Sequence, residues 1–322
     1  MSEQTAVEAP VVARRRWTVR RRLHRLDAKA APYLYISPFF ILFATFGLFP
    51  LGYTAYVAMT DRTLLDPTWN FIGLDNFTAL IHDSYFWNAL ENTLGIFLIA
   101  TIPQLLFALF LAHVLNTKLR ARTFFRMFVL LPQVTSLVAV ALIFTQLFSH
   151  DYGLINYVLS QFGIHKIDWE AGRLSSWVAI SVMVTWRWAG YNALIYLAAM
   201  QGIPDELYEA AAIDGAKPWR QFRYVTIPLL RPTIIFTVIV STIGGLQLFT
   251  EPYLFEPSAQ GSTGGSARQY QTVVMYLYEK AFAGTQFDFG YAAAIGWALF
   301  LLIAVISLIN FLIVRRIRSA EA

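Results

Sequence analysis

One arginine lies within a strongly apolar stretch, and its position points more directly to ligand binding than that of any other residue. Arg187 stands between Trp186 and Trp188, and Tyr191 and Asn192 follow about one helical turn later. Placing an arginine at the centre of a membrane helix costs about 2.5 to 3.5 kcal/mol, so we expect this side chain to face protein or a wet cavity. Its guanidinium group can bind ligand hydroxyls beside a tryptophan that stacks on a sugar ring. Equally, it can pair with a carboxylate or with the carbonyls of a broken helix, and the sequence leaves both alternatives open.

A second group of polar residues follows two glycines and precedes a proline. Gln247, Thr250 and Glu251 lie in the segment 244–252, Gly-Gly-Leu-Gln-Leu-Phe-Thr-Glu-Pro. Glycine and proline interrupt helices, and interrupted helices at membrane depth line cavities or are buried in protein. Four-residue spacing places Gln247 and Glu251 on one helix face, where they would suit the hydroxyls of a polyol. The alternative is that the glycines only allow close helix packing and that Glu251 lies at the outer membrane interface.

The sequence contains no motif for other kinds of chemistry. It has no Gly-x-x-x-x-Gly-Lys-Ser/Thr phosphate loop, no Gly-x-Ser-x-Gly and no His-Glu-x-x-His. With no cysteine, it can form neither disulfides nor thiolate metal sites. The five histidines are scattered along the chain. We therefore predict that the chain is not an enzyme, has no catalytic residue and binds no metal or cofactor itself.

The elements that carry these residues are apolar stretches of membrane-spanning length. Of the 322 residues, 57% are hydrophobic and only 14% are charged, against about 25% charged in soluble domains. Six stretches approach the roughly 20 residues that a bilayer requires, and they lack the alternation of barrel strands. The sequence predicts an all-α membrane protein with six transmembrane helices, at roughly 33–59, 92–115, 127–148, 176–199, 230–250 and 289–314.

Positive charges are distributed unevenly around these stretches. Nineteen of the 25 Lys and Arg residues lie in the N-terminal segment, in the loops 116–126 and 201–231, and after residue 314. Because cytoplasmic loops are rich in Lys and Arg, we predict that both termini and the 201–231 loop face the cytoplasm. This gives a basic cytoplasmic segment at 1–31, a transmembrane domain at 32–316 and a cytoplasmic tail at 317–322.

Two surface regions have more than one interpretation. Seven arginines crowd between Arg14 and Arg25, and such a run can bind RNA or lipid headgroups, although we favour a cytoplasmic anchor for the first span and expect no cleaved signal peptide. The predicted outer loop 61–88 combines aspartates with aromatic residues. Those aromatics fit an interface belt, or they offer a docking surface for an extracellular protein.

The segment 204–228 is charged and amphipathic, unlike the apolar chain around it. Pro204 is expected at the first helical position, with Asp205 and Glu206 in the first turn, where the helix dipole favours negative charge. Gly215 can end the helix in the left-handed conformation. The sequence therefore predicts a short surface helix, with periodic positions at Leu207, Ala210, Ala211 and Asp214. The alternative is an amphipathic loop helix that packs on its own protein.

The spacing in this segment resembles the EAA loop of ATP-binding-cassette (ABC) importer permeases. Glu209-Ala210-Ala211 is followed after three residues by Gly215, and after nine more by Val225-Thr-Ile-Pro228. In that family the loop at 201–229 would be a cytoplasmic coupling helix that docks on an ATPase subunit. The residues that the resemblance assigns to coupling are Glu209, Ala210, Ala211, Asp214, Gly215 and Pro228.

The resemblance extends over roughly residues 32–316 and is closest to carbohydrate-type ABC permeases, of the maltose and glycerol-phosphate type. Further matching segments are Ser37-Pro38, Phe71-Ile-Gly-Leu-Asp-Asn-Phe77, Asn92-Thr93 and Leu131-Pro132. The family implies a second homologous permease, two ATPase subunits that bind ATP and Mg²⁺, an extracytoplasmic sugar-binding protein and no nucleic acid. It implies a bacterial or archaeal plasma-membrane location. The 245–252 stretch resembles permeases for disaccharides such as cellobiose and other β-glucosides.

Two other functional classes compete with this interpretation. A self-sufficient secondary transporter or channel would leave the EAA spacing unexplained, and a membrane enzyme would need a catalytic constellation that the sequence lacks.

Overall fold

The computed structural model describes residues 30–66, 68–117, 120–255, 263–283 and 287–319, without the side chains of Arg122 and of residues 313–319. Two units divide the chain, Met1–Tyr56 and Val57–Ala322. In the first unit, the described residues belong to helix α1, Ala30–Val57, which contains a π-helical turn at Ala44–Leu48. The predicted basic segment, with its crowded arginines, and the end of the predicted tail lie outside the described residues.

The second unit is helical, and the described residues contain no β-strand beyond two isolated antiparallel bridges, Thr60 to Phe71 and Thr63 to Asp288. This confirms the all-α prediction for the part of the chain that is described. In chain order the helices are α2 (Asp75–His82), α3 (Ser84–Asn116), α4 (Arg122–Val134), α5 (Leu137–Leu147), α6 (Leu154–Gln161), α7 (Arg173–Met200), α8 (Asp205–Ile213), α9 (Pro218–Leu246), α10 (Thr250–Phe255), α11 (Val273–Tyr278) and α12 (Phe289–Ser319).

Four of the described helices are long and apolar enough to cross a membrane: α1, α3, α9 and the Phe289–Leu312 part of α12. A fifth candidate is the pair α4 and α5, which pass the same test together. Helix α7 has 28 residues, enough to cross a bilayer at 1.5 Å per residue, but Arg187 and Asn192 lower its hydropathy. The count of six transmembrane helices stays a prediction.

Two of the predicted stretches are interrupted. The stretch at 127–148 forms two helices bent by 90°, because Thr135 and Ser136 have extended ψ angles of 143° and 127°. The stretch at 230–250 ends as a helix at Leu246, and a new helix begins at Thr250. The sequence predicted that Gln247 and Glu251 lie on one helix face. That prediction is wrong, because the helix is interrupted between them.

Helix α7 is central to the second unit, since it packs against α3, α4, α5, α9 and α10, and most extensively against α3. Small residues allow these helices to approach closely: Ala100 and Ala179 are fully buried in one apolar cluster. Ser181 and Thr185 of α7 donate hydrogen bonds of 3.3 Å to backbone carbonyls of α3. The side chains that could bind a ligand are thus held on a well-packed helix.

The contact between α7 and α4 is closer still. A Cβ atom added to Gly190 would lie 1.8 Å from the backbone oxygen of Val129, well inside any van der Waals distance. Only glycine fits at this position while the two helices keep their separation.

Candidate functional site

A cavity of about 310 Å³ lies between α3, α5, α7, α9 and α10. Its wall is mainly apolar and includes the aromatic rings of Phe97, Trp188 and Phe249. Polar side chains face it from several helices: Thr101, Gln104, Arg187, Tyr191, Asn192, Ser241, Gln247, Thr250 and Glu251. An apolar wall with a few converging polar groups is the usual construction of a small-molecule site.

The structure brings together six of the seven residues that the sequence assigned to a substrate cavity: Arg187, Tyr191, Asn192, Gln247, Thr250 and Glu251. The seventh, Trp186, is not among the lining residues, and its ring packs against Phe144 with centroids 5.5 Å apart. Trp188 lines the cavity instead. Trp186 and Trp188 are two positions apart on α7, which corresponds to about 200° of rotation around the helix axis. The two side chains therefore face opposite directions.

Arg187 and Glu251 form an ion pair across the cavity wall. The distance from Arg187 Nη1 to Glu251 Oε1 is 3.2 Å, and the side chains are 17% and 6% exposed. The Arg187 guanidinium also lies over the Trp188 ring, 5.8 Å from its centroid. The sequence left open whether Arg187 binds ligand or pairs with a carboxylate or with backbone carbonyls. In the structure it pairs with a carboxylate, that of Glu251.

The pair with Glu251 does not use all the donors of the Arg187 guanidinium group. A guanidinium carries five N–H donors, and Nη1 donates to Glu251. Nε is buried and has no hydrogen-bond partner among the described residues, although buried polar atoms are seldom left without one. This cavity-lining residue therefore has hydrogen-bonding capacity that the ion pair does not satisfy.

Amide groups supply further donors and acceptors. Asn192 of α7 and Gln104 of α3 line the cavity, and each is only 4% exposed. Gln104 is not among the residues that the sequence assigned to the cavity, and no helical spacing connects it to Asn192. A buried amide side chain with both donor and acceptor atoms is suited to a sugar hydroxyl.

The glycines before the break differ in their surroundings. A Cβ atom on Gly245 would lie 2.7 Å from Cδ2 of Phe97, whereas a Cβ atom on Gly244 would meet nothing within 4 Å. Both glycines line the cavity. The sequence offered two alternatives for these glycines, cavity lining and close helix packing, and the structure shows both. Gly245 allows close packing against α3, and Gly244 leaves open space.

The predicted coupling residues lie in and around α8. The helix begins at Asp205, so Pro204 is the residue before it rather than its first member. Gly215 has a φ of 80°, and its N–H donates to Ala212 O at 3.0 Å while Ala216 N–H donates to Ala211 O at 2.9 Å. These two bonds form a Schellman cap, the left-handed end that the sequence predicted.

Helix α8 has no buried residue, so Glu209, Ala210 and Asp214 are open to solvent. Large apolar side chains are exposed on α8 and on the start of α9, among them Ile213 at 86% and Trp219 at 67%. Pro228 follows the π-helical turn Phe222–Thr226 within α9. This region therefore exposes apolar and charged side chains together, and its role in coupling stays a prediction.

A polar network that the sequence did not reveal lies at the N-terminal ends of α3 and α12. Arg268 donates two hydrogen bonds to Glu279, at 2.6 and 2.7 Å, and its backbone oxygen accepts hydrogen bonds of 2.8 Å from Asn88 and Asn92. Burial raises the pKa of the Glu279 carboxyl, but the hydrogen bonds from Arg268 and Gln271 and nearby positive charges lower it more, so this pKa lies below its ordinary value.

A second carboxylate of this network is held by two phenols. Asp83 precedes α3 and caps it by accepting from Tyr85 N–H at 2.8 Å. Its Oδ2 also accepts hydrogen bonds from the hydroxyls of Tyr276 and Tyr291. Although burial raises the pKa of the Asp83 carboxyl, these bonds outweigh the burial and bring it below its usual value. The network joins α3, the loop at 263–272, α11 and α12.

Among the described residues, no group of three or more His, Asp and Glu side chains could hold a metal ion.

The proteins that we compare with this chain are components of transport systems. Residues 104–319 match the family described as binding-protein-dependent transport system inner membrane component. The chain is 39% identical over 283 residues to the lactose transport system permease protein LacF of Rhizobium radiobacter, covering 87% of this chain and 92% of the relative. It is 35% identical over 288 residues to the arabinooligosaccharides transport system permease protein AraP of Bacillus subtilis (strain 168), covering 88% of each.

A solved structure shares the fold. It is a chain of a bacterial alginate ABC transporter in complex with an alginate pentasaccharide-bound periplasmic protein, with a TM-score of 0.74 and 24% sequence identity. The match covers 91% of this chain and 97% of the other.

Proposed function

Because this chain belongs to the family of binding-protein-dependent transport system inner membrane components, we propose that it forms one half of the sugar pathway of an ABC importer. The chain is a permease subunit for sugar transport and not an enzyme, and it is a multi-pass protein of the plasma membrane. The cavity beside the Arg187–Glu251 pair is the observation that carries the proposal, since it combines aromatic rings with buried amides inside an apolar helical unit.

The proposed assembly contains a second homologous permease, two ATPase subunits that hold ATP and Mg²⁺, and an extracytoplasmic sugar-binding protein. Membership of a binding-protein-dependent family supports the last of these partners. The exposed surface of α8 supports the ATPase as its neighbour, because charged and apolar side chains are open there together. Closure of the ATPase pair would then move α8 and turn the cavity outwards.

The proposed topology has six spans with both termini in the cytoplasm. The natural lack of cysteine permits a direct test, because each introduced cysteine would be the only one. Ala210→Cys on α8 should react with a membrane-impermeant maleimide only after the cells are opened. Ser160→Cys on α6 should react in intact cells, and the reverse pattern would overturn the topology.

We propose a di- or oligosaccharide as the substrate, and cellobiose or another β-glucoside as the first to test. The cavity volume of about 310 Å³ lies within the range of about 300 to 1,000 Å³ typical of ligand pockets. The similar LacF and AraP proteins are named for lactose and arabinooligosaccharides, which supports sugars of this size class.

Uptake by the reconstituted assembly tests the function. Vesicles that contain both permeases and the ATPase should accumulate labelled cellobiose when ATP and the binding protein are supplied. The Glu209→Lys variant should abolish uptake, because it reverses a charge on the proposed docking face. A matched control is Asp151→Lys, a reversal at a side chain that is 69% exposed before α6, which should leave uptake unchanged.

Two outcomes would contradict the proposal. The first is uptake without the ATPase that follows an ion gradient, which would make the chain a secondary transporter. The second is full uptake with Glu209→Lys, which would remove α8 from the coupling surface.

A further inference from the structure

Charge is concentrated at one place in the cavity. Among the described residues that line it, only Arg187 and Glu251 carry a formal charge on the side chain. They come from different helices, α7 and α10, and their signs are opposite. The cavity wall therefore contains a full positive charge and a full negative charge, and their sum is zero.

The two charges are paired with little access to water. The Glu251 side chain is 6% exposed and, within the part of the chain that the structure describes, accepts a hydrogen bond from Arg187. A carboxylate that leaves water at this depth needs a cation beside it. The guanidinium likewise needs an anion, because arginine stays protonated in proteins.

We propose that Glu251 is the internal counter-ion of Arg187 and that the pair makes the cavity select uncharged saccharides over saccharides that carry a carboxylate. The inference rests on the proposed function and adds a substrate class to it. A sugar acid would bring a second carboxylate to a guanidinium that is already neutralised, and it would meet repulsion from Glu251. An uncharged sugar meets neither penalty.

The guanidinium has donors beyond the one that the pair uses, so the pair can still hold a neutral ligand. Nη1 of Arg187 donates to Glu251, and a guanidinium carries five N–H donors, so a hydroxyl oxygen can accept from another of them while Nη1 remains on Glu251. Asn192 and Gln104 supply uncharged donors and acceptors in the same cavity. The Arg187–Glu251 pair thus presents hydrogen-bond donors to the cavity without a net charge.

Replacing Glu251 by glutamine should reverse the preference. In Glu251→Gln the guanidinium loses its counter-ion but not its position, so an anionic ligand can supply the missing carboxylate. Charge-assisted hydrogen bonds are roughly twice as strong as neutral ones, and we expect the affinity ratio of acidic to neutral sugar to rise by about tenfold or more.

The probes are cellobiose and cellobiouronate, which differ by a carboxylate in place of one hydroxymethyl group. Binding is measured on the complete transporter in lipid nanodiscs without the binding protein, so that only the membrane cavity discriminates. The wild type should bind cellobiose in preference to cellobiouronate. The Glu251→Asp variant keeps the charge and should keep that preference.

The double variant Arg187→Gln/Glu251→Gln removes both charges together and should also prefer cellobiose. The double variant also keeps the pairing testable if Glu251→Gln fails to assemble, because removal of both charges leaves no unpaired ion in the cavity. Assembly of the double variant with a neutral preference, alongside failure of the single variant, would support the pairing.

The proposal is overturned if the wild type binds cellobiouronate as tightly as cellobiose, a comparison that needs no variant. It is also overturned if Glu251→Gln assembles and keeps the wild-type ratio. Either result can occur while the wild type still performs ATP-dependent sugar uptake, so the importer assignment would survive. If the wild-type assembly showed no ATP-dependent sugar uptake, the importer assignment itself would be refuted.

Discussion

The hydroxyl of Tyr208 lies 3.0 Å from Oγ1 of Thr226, and this hydrogen bond joins the exposed helix α8 to the π-helical turn of α9. Thr226 is buried. Gln221 of α9 adds a second connection by donating to Tyr208 O of α8 at 3.4 Å. A force applied to α8 therefore has a short path to the helix whose other end lines the cavity.

We predict that Tyr208→Phe weakens coupling without unfolding the protein. The variant loses one hydrogen bond, worth about 0.5 to 1.5 kcal/mol, so that α8 moves less strictly with α9. The measurement is the number of sugars imported per ATP hydrolysed, which should fall. Tyr224→Phe is the matched control, since Tyr224 is 69% exposed on the same π-helical turn. Equal ratios in both variants would contradict the prediction.

Gly215 should tolerate no side chain. Its φ of 80° is left-handed, and an ordinary residue there costs about 1 to 2 kcal/mol. Gly215→Ala should therefore loosen the end of α8 and reduce sugar-stimulated ATPase activity. Gly202→Ala is the control, because its Cβ atom would lie 3.5 Å from Ala199 O, an ordinary contact. If Gly202→Ala lowered the activity as much as Gly215→Ala, the left-handed cap would not be the cause.

The two glycines of the cavity should respond differently to alanine. Gly245→Ala places a methyl group 2.7 Å from Cδ2 of Phe97, so either the Phe97 ring or the two helices must move. We expect about 1 to 3 kcal/mol of destabilisation from such overpacking, seen as a lower melting temperature of the purified permease. Gly244→Ala meets nothing within 4 Å and should melt like the wild type. Equal melting temperatures for the two variants would argue against this packing.

The Arg268–Glu279 pair should make stability depend on acid pH. The pKa of Glu279 is lower in the folded protein than its usual value of 4.5, so the folded state favours the ionised form. The resulting stabilisation is present above pH 4.5 and is lost as the pH falls through the folded pKa. Glu279→Gln should flatten the dependence of melting temperature on pH below 4.5, whereas Glu206→Gln on exposed α8 should not. An unchanged acid profile in Glu279→Gln would contradict this.

Local patterns predicted those features that depend on local chemistry. Gly215 ends α8 in the left-handed conformation because the cap needs only residues 211–216. Polar residues of apolar stretches line one cavity because each avoids lipid, and six of the seven predicted residues lie there; their role in substrate binding stays a prediction. Trp186 and Trp188 both flank Arg187 in the sequence, and only the packing of α7 against its neighbours decides which of them lines the cavity.

Features that depend on distant residues were beyond the sequence. Asn88 and Arg268 meet across 180 positions, and no spacing connects them. The 90° bend at Thr135 and Ser136 follows Pro132, but a proline in an apolar stretch indicates only a local kink. The bend itself depends on what α4 and α5 pack against.

The glycine contact between α4 and α7 restricts where the molecule can flex. With the chain at Gly190 seated against the Val129 backbone, these helices are interlocked and cannot slide past each other. A rearrangement that exposes the cavity must then be absorbed at non-helical joints, which act as hinges. The joint at 247–249 separates α9 from α10, so a pivot there could move α10, with Glu251, relative to α9 while α4 and α7 keep their contact.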